Sequence, residues 1–302
     1  MNEKLKSALI KRIRRLSSPM EPKPTGLAER LVPLPQLRAI LFDVYGTLFI
    51  SGTGDISIAR ATSNEQALTK SLQFSGFSGD LHNAGRRGTT YLLHSIQHTH
   101  EIRRQAGCQT PEVDIRQEWR NALTQLQQEN MLQGNITTEA IMKVSVDYEC
   151  RVNPIWTMPN VAETLRWLNE QPCILGIISN AQFYTKLLFP AFLHASYTES
   201  GFQPKVCAWS YEYLEAKPSV RLFHSVVTSL HDQYGIVPEE TLYVGNDMLN
   251  DLYPASQLGL KTALFAGDQR SLRLREDDER CQHLAPDVIV TDLAHLSSVY
   301  TP

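Results

Sequence analysis

Residues 38–49 read RAILFDVYGTLF, and this stretch decides the architecture. From Ala39 to Val44 every residue but Asp43 is apolar, and Gly46-Thr47 then breaks the run with a turn. A continuous apolar run bounded by polar residues suits a strand buried on both faces, which is the pattern of a parallel sheet. Such sheets bind ligands beyond the carboxyl ends of their strands, where Asp43 would stand. Two places further on the side chain is Tyr45 rather than a second acid.

Similar runs recur downstream: CILGIISN at 173–180, TLYVGND at 241–247, KTALFAG at 261–267 and DVIVTD at 287–292. Helical patterns separate them, among them VAETLRWLNE, SVRLFHSVVTSLHDQYG and MLNDLYPASQLG. Strands alternating with helices predict right-handed β-α-β units and a mostly parallel, Rossmann-like sheet of the α/β class. Four polar stations follow one another at the turns: Asp43, then Ser179-Asn180, then Lys217, then Asp247 and Asp251. Each taken singly is an ordinary turn or cap residue. Converging on one crevice, they predict a site.

Between residues 53 and 156 the alternation stops and the chain reads helical throughout. The expected organisation is a basic helix and linker over 1–36, a sheet core over 37–52 and 157–302, and an inserted helical cap over 53–156. In the first segment Leu5, Leu9, Ile10, Ile13 and Leu16 fall at helical spacing among Lys11, Arg12, Arg14 and Arg15. Such a helix can rest on an anionic membrane or a partner, but packing its apolar stripe on the body of the protein or on a second subunit is the more ordinary outcome. The net charge of -3 gives no reason to expect nucleic acid as a partner. No apolar run is long enough to span a membrane, and the five scattered cysteines suit reduced thiols in the cytoplasm.

The motifs DVYGTL, SN, KP and GNDMLND, spanning Asp43 to Asp251, resemble those of the haloacid dehalogenase superfamily. The insertion between the first two resembles the helical cap of one branch. The resemblance implies that Asp43 is a covalent nucleophile whose ester or acyl phosphate is later cleaved by water. Thr47 and Ser179 would hold the oxygens of the transferring group, Asn180 would orient them, and Lys217 would neutralise charge. Asp43, Asp247, Asp251 and the backbone carbonyl of Tyr45 would hold Mg²⁺, or the acids would position a lysine.

Tyr45 complicates this reading. Most phosphatases of the superfamily carry there an aspartate that protonates the leaving alcohol, and a phenol titrating near pH ~10 serves badly in its place. A leaving group stable as an anion would not need the acid. The first motif is close to that of the 2-haloacid dehalogenases, which work without metal. Their lysine motif carries a tyrosine six residues on, where this chain has Phe223. Asn246 replaces the first aspartate of the phosphatase pattern, with Asp247 one place later. The acids of the last motif favour an Mg²⁺-dependent phosphatase acting on a small phosphorylated metabolite. A metal-independent dehalogenase is the second reading, favoured if a lysine amine fills the cation's place. A binding or regulatory protein on the same fold is the third.

Arg86 and Arg87, set between Gly85 and Gly88, are candidates with Tyr45 for gripping an anionic substrate, though a solvated basic turn explains them as well. His94 and His98 have zinc-ligand spacing but no evident third ligand. Glu112, just after Pro111, reads as a first-turn helix acid. GTGD at 52–55 reads as a hinge into the cap.

Overall fold

The computed structural model describes residues 1–52 and 61–302, the side chains of 61–63 excepted. Thr53 to Asp55 of the expected hinge lie outside the described residues. Helix α1 (Glu3–Leu16) opens the chain, and β1 (Ala39–Phe42) follows the linker. A short strand, β2 (Phe49–Ser51), leads out to the cap. Among the described residues the cap comprises α2 (Ala61–Phe74), β3 (Ser78–Gly79), α3 (Leu81–Gln105), α4 (Ile115–Gln128), β4 (Leu132–Gln133) and α5 (Thr138–Val152). The chain returns through β5 (Ile155–Thr157), which pairs antiparallel with β2. The core then runs α6 (Val161–Asn169), β6 (Ile174–Ser179), α7 (Thr185–Phe192), β7 (Phe202–Trp209), α8 (Ser210–Tyr213) and α9 (Val220–Tyr234). It closes with β8 (Thr241–Gly245), a π-helical turn at Met248–Leu252, α10 (Tyr253–Gln257), β9 (Lys261–Phe265), β10 (Val288–Val290) and α11 (Leu296–Val299).

Six strands form a parallel sheet in the order β10-β9-β8-β1-β6-β7, the Rossmann-like arrangement expected from the sequence. All four residues of β1 are fully buried, as its apolar run requires. Register then fixes the layout of the polar stations. Phe42 lies opposite Ile177 of β6 and Val244 of β8, so Asp43 is level with Ile178 and Gly245, and Ser179 and Asn246 follow one residue on along the two flanking strands.

Strand β7 has no counterpart among the sequence expectations. Its residues Gln203, Pro204 and Lys205 are exposed and interrupt the apolar pattern. The strand lies at the sheet edge, where a proline costs no ladder bond and a lysine discourages pairing with another chain.

The cap has an apolar core of its own around Leu68, Leu72, Trp119, Leu123, Leu126 and Ile141. Helix α1 lies across the joint between cap and core. Its apolar stripe, Leu5, Leu9 and Ile13, is buried against the body of the protein. On the cap side Arg12 pairs with the buried Asp147 of α5 and its guanidinium sits 3.9 Å from the Phe74 ring centroid. On the core side Arg14 donates to the carbonyls of Ala191 (2.6 Å) and Pro190 (2.5 Å) at the end of α7. No described helix is long and apolar enough to cross a membrane.

Candidate active site

Asp43 follows β1 directly, and its amide continues the sheet ladder to the Val244 carbonyl. Its Oδ1 lies 2.7 Å from Nζ of Lys217, which comes from the loop between α8 and α9. The same amine is 2.5 Å from Oδ1 of Asp251 in the π-helical turn. Lys217 and Asp251 are almost completely buried, and Asp43 keeps 7% exposure. Burial alone would lower the Lys217 pKa, but the charges of Asp251 and Asp43 leave it above its ordinary value, so the amine stays protonated. Burial pushes the Asp251 carboxyl up, against the pull of Lys217. Asp251 Oδ2 also accepts the backbone N–H groups of Asn246 (3.0 Å) and Asp247 (2.9 Å), which folds the π-helical turn back onto the strand end.

Tyr243 completes this cluster, and the sequence reading missed it. Its hydroxyl lies 3.0 Å from Asp251 Oδ1, 2.9 Å from the Ile178 carbonyl and 3.2 Å from Lys217 Nζ. Burial, then the charges of Asp251 and Asp43, drive its pKa well above the usual phenol value. The signal was a tyrosine inside an apolar strand, where a buried hydroxyl must find a partner. Phe223 packs on its ring at a centroid distance of 4.9 Å. A phenol therefore reaches the lysine from β8, and Phe223 supports it from α9.

The other stations have structural partners. Asn180 and Lys217 clamp each other, the Lys217 N–H donating to Asn180 Oδ1 at 2.8 Å and Asn180 Nδ2 facing the Lys217 carbonyl at 3.4 Å. Asn180 thus positions the lysine. Thr47 is fully buried and donates to Asn246 Oδ1 at 3.1 Å, while Asn246 Nδ2 donates to the Ser271 carbonyl at 2.7 Å. Ser179 is fully buried, its hydroxyl 3.4 Å from the Asn180 carbonyl. Gly46 adopts φ +84°, and a Cβ there would lie 2.5 Å from that of Ser271. Only glycine lets the 268–275 loop close over the nucleophile turn.

The donor set does not fit the expected Mg²⁺. Asp43 and Asp251 converge on the Lys217 ammonium, which already balances their charge. Asp247 is turned away: it accepts the N–H groups of Leu249 (2.9 Å) and Asn250 (3.2 Å) as a helix cap and pairs with Arg275 at 2.6 Å. Asn246 uses its amide on Ser271 and Thr47. Among the described residues no three acidic, histidine or cysteine side chains come together as a metal cluster, and His94-His98 gains no third ligand. Hard divalent cations need several oxygen ligands at once. Of the expected set, Asp43 and Asp251 meet at Lys217, while the Asp247 carboxylate is held by its own turn and Arg275.

Tyr45 does not reach toward solvent either. Its hydroxyl pairs with Thr185 Oγ1 at 2.8 Å, and burial, then the Glu149 carboxylate, raises its pKa well above the ordinary value. Arg86 and Arg87 are both exposed on the cap helix α3. Arg86 is exposed and bonds Asn83, while Arg87 pairs with Glu129 and lies over Tyr91, so both engage cap residues. Glu112 is not in a first turn, because α4 starts at Ile115 with Asp114 as its cap.

No protein-family model matches the chain, and no curated protein matches it. Solved structures do. A 2-haloacid dehalogenase from Pseudomonas syringae pv. Tomato DC3000 is 16% identical, over 86% of this chain and 96% of that one, with a TM-score of 0.51. An HAD phosphatase from Thermococcus onnurineus is 18% identical over 86% and 96%, with a TM-score of 0.47. An L-2-haloacid dehalogenase from Xanthobacter autotrophicus is 17% identical over the same shares, with a TM-score of 0.44. The likeness is one of fold, and the fold is haloacid dehalogenase-like.

Proposed function

We propose that this haloacid dehalogenase-like chain is a metal-independent hydrolase that displaces an anionic leaving group from carbon, as a 2-haloacid dehalogenase does. The supporting observation is the Lys217 ammonium held between Asp43 and Asp251, at 2.7 and 2.5 Å, so that a lysine of this chain balances the charge of the two acids. The lysine holds Asp43 Oδ1 and leaves Oδ2 to attack. An oxygen–carbon bond forms to give an ester on Asp43, the carbon–halogen bond breaks, and the halide leaves with the electron pair. Water then adds at the Asp43 acyl carbon. The acyl–oxygen bond breaks, the hydroxy acid leaves, Asp43 is again a carboxylate and one proton is released.

A halide needs no proton to depart, which agrees with a Tyr45 that is held on Thr185 and keeps its proton at neutral pH. Asp251 and Asp43 keep the amine charged, Tyr243 helps to aim it, and Asn180 fixes the backbone that carries it. The test is halide release from 2-chloropropionate beside phosphate release from an aryl phosphate, each with chelator and with Mg²⁺. Chloride release insensitive to chelator, with a mass increment trapped on Asp43 and lost in Asp43→Asn, is the expected result. Mg²⁺-dependent phosphate release would restore the phosphatase reading, and neither activity would leave a binding role.

A further inference from the structure

Glu112 is a cap residue whose carboxylate points into the core. Its Oε2 accepts the hydroxyl of the fully buried Ser210 at 2.9 Å. Its Oε1 accepts the Val113 N–H (2.8 Å) and faces Gln182 Nε2 (3.3 Å). Ser210 in turn accepts the Ala181 N–H at 2.9 Å, and Gln182 bridges back to the cap through the Val113 carbonyl (2.8 Å) and the Ile115 N–H (2.9 Å). The backbone joins alongside: the Glu112 N–H donates to the Leu214 carbonyl (3.1 Å), and the Ala216 N–H donates to the Thr110 carbonyl (2.8 Å).

These bonds close on two loops. One follows β6 and carries Asn180; the other follows β7 and carries Lys217. The two are joined at the site itself by the Asn180–Lys217 clamp. A carboxylate that takes the Ser210 proton leaves the serine oxygen free to accept from Ala181, so Glu112 sets the direction of the whole chain of bonds.

We propose that Glu112 is a positioning residue, by which the cap holds the Lys217 loop and the Asn180 loop in register for attack by Asp43. The kinetic part rests on the hydrolase reading, but the fastening does not. Removing the carboxylate takes away the acceptor of the Val113 N–H and the shorter of the two Ser210 hydroxyl contacts, the other being the Ala181 carbonyl at 3.2 Å.

Hydrogen exchange of the substrate-free protein reads the fastening, with β10 as an internal control for global unfolding. Glu112→Ala is expected to speed exchange over residues 214–217 about tenfold and leave β10 unchanged. If Glu112→Ala does not fold, the isosteric Glu112→Gln is expected to show the same localised change. In turnover, kcat falls about tenfold to a hundredfold with KM held within about threefold, because misplacement rather than lost binding is the cost. Unchanged exchange over 214–217 in the soluble variant overturns the proposal, and so does full kcat with a loosened loop. If the parent releases no halide, the hydrolase reading fails by itself, and the exchange measurement still decides whether Glu112 fastens the loop.

Discussion

Asn246 and Asp247 are neighbours with opposite tasks, and the difference lies in partners that are distant in sequence. Asn246 is a neutral spacer between Thr47 and Ser271, while Asp247 is spoken for by its own helix and Arg275. Ser271 and Arg275 both come from the 268–275 loop, so no spacing near residue 246 announces them. That is why the stations Asp43, Lys217 and Asp251 were legible and the partner of Asp247 was not: an acid at a strand end is visible in the sequence, whereas the arginine that pairs with it is not. The same reasoning predicts the effect of restoring the missing acid. Asn246→Asp loses the donor to the Ser271 carbonyl and adds a carboxylate beside Asp251, costing about 1–3 kcal/mol. Mg²⁺ is expected to recover part of that loss in the variant and leave the parent unmoved, as denaturant midpoints with and without the ion will show. A parent stabilised by Mg²⁺ as strongly as the variant would contradict the balancing of Asp43 and Asp251 by Lys217.

Among the elements, α1 was the easiest to find and the hardest to place. Its stripe of Leu5, Leu9 and Ile13 follows from spacing alone, but a stripe does not name what covers it. The covering is decided by Asp147, a cap acid with no exposure, which binds Arg12, Arg151 at 2.5 Å and the Ser71 hydroxyl at 2.8 Å. Edge strand β7 is the converse case, hidden by the Pro204-Lys205 pair that suits its position. The cap helices were legible from periodicity, but not the inward turn of Glu112 ahead of α4. The Asp147 pairing makes α1 a tie between the two units. Arg12→Met keeps the aliphatic stem but leaves Asp147 with one cation, and stability is expected to fall by about 1–3 kcal/mol. The loss is smaller than for an isolated buried pair because Arg151 remains. The paired variant Arg12→Met/Asp147→Asn should recover part of it, and a double-mutant cycle measures the coupling. Independent, additive effects would mean that the ion pair does not hold the helix.

For the molecule as a whole, the joint between cap and core contains a carboxyl whose titration opposes folding. Glu149 lies near the end of α5, where its Oε2 accepts the Tyr184 hydroxyl of the core at 3.1 Å and its Oε1 accepts Asn153 Nδ2 at 3.1 Å. Asn153 is bonded to Ser51 of β2, so one buried chain of groups spans both crossings. Burial raises the Glu149 pKa above its value of 4.5 in an exposed chain, and the bonds from Asn153 and Tyr184 offset this only in part. The sign follows directly. The folded state keeps the proton to higher pH than the unfolded state, so this group's contribution is fully present below about pH 4.5 and is lost as pH rises through the folded pKa. Glu149→Gln imitates the neutral acid and cannot ionise. Its unfolding free energy relative to the parent is therefore expected to improve as pH rises above 4.5, the parent falling with pH more steeply than the variant. Denaturant melts of both proteins across that range measure the difference in slope. Parallel curves would mean that Glu149 is ionised in the folded protein throughout, and that the joint carries its charge without cost.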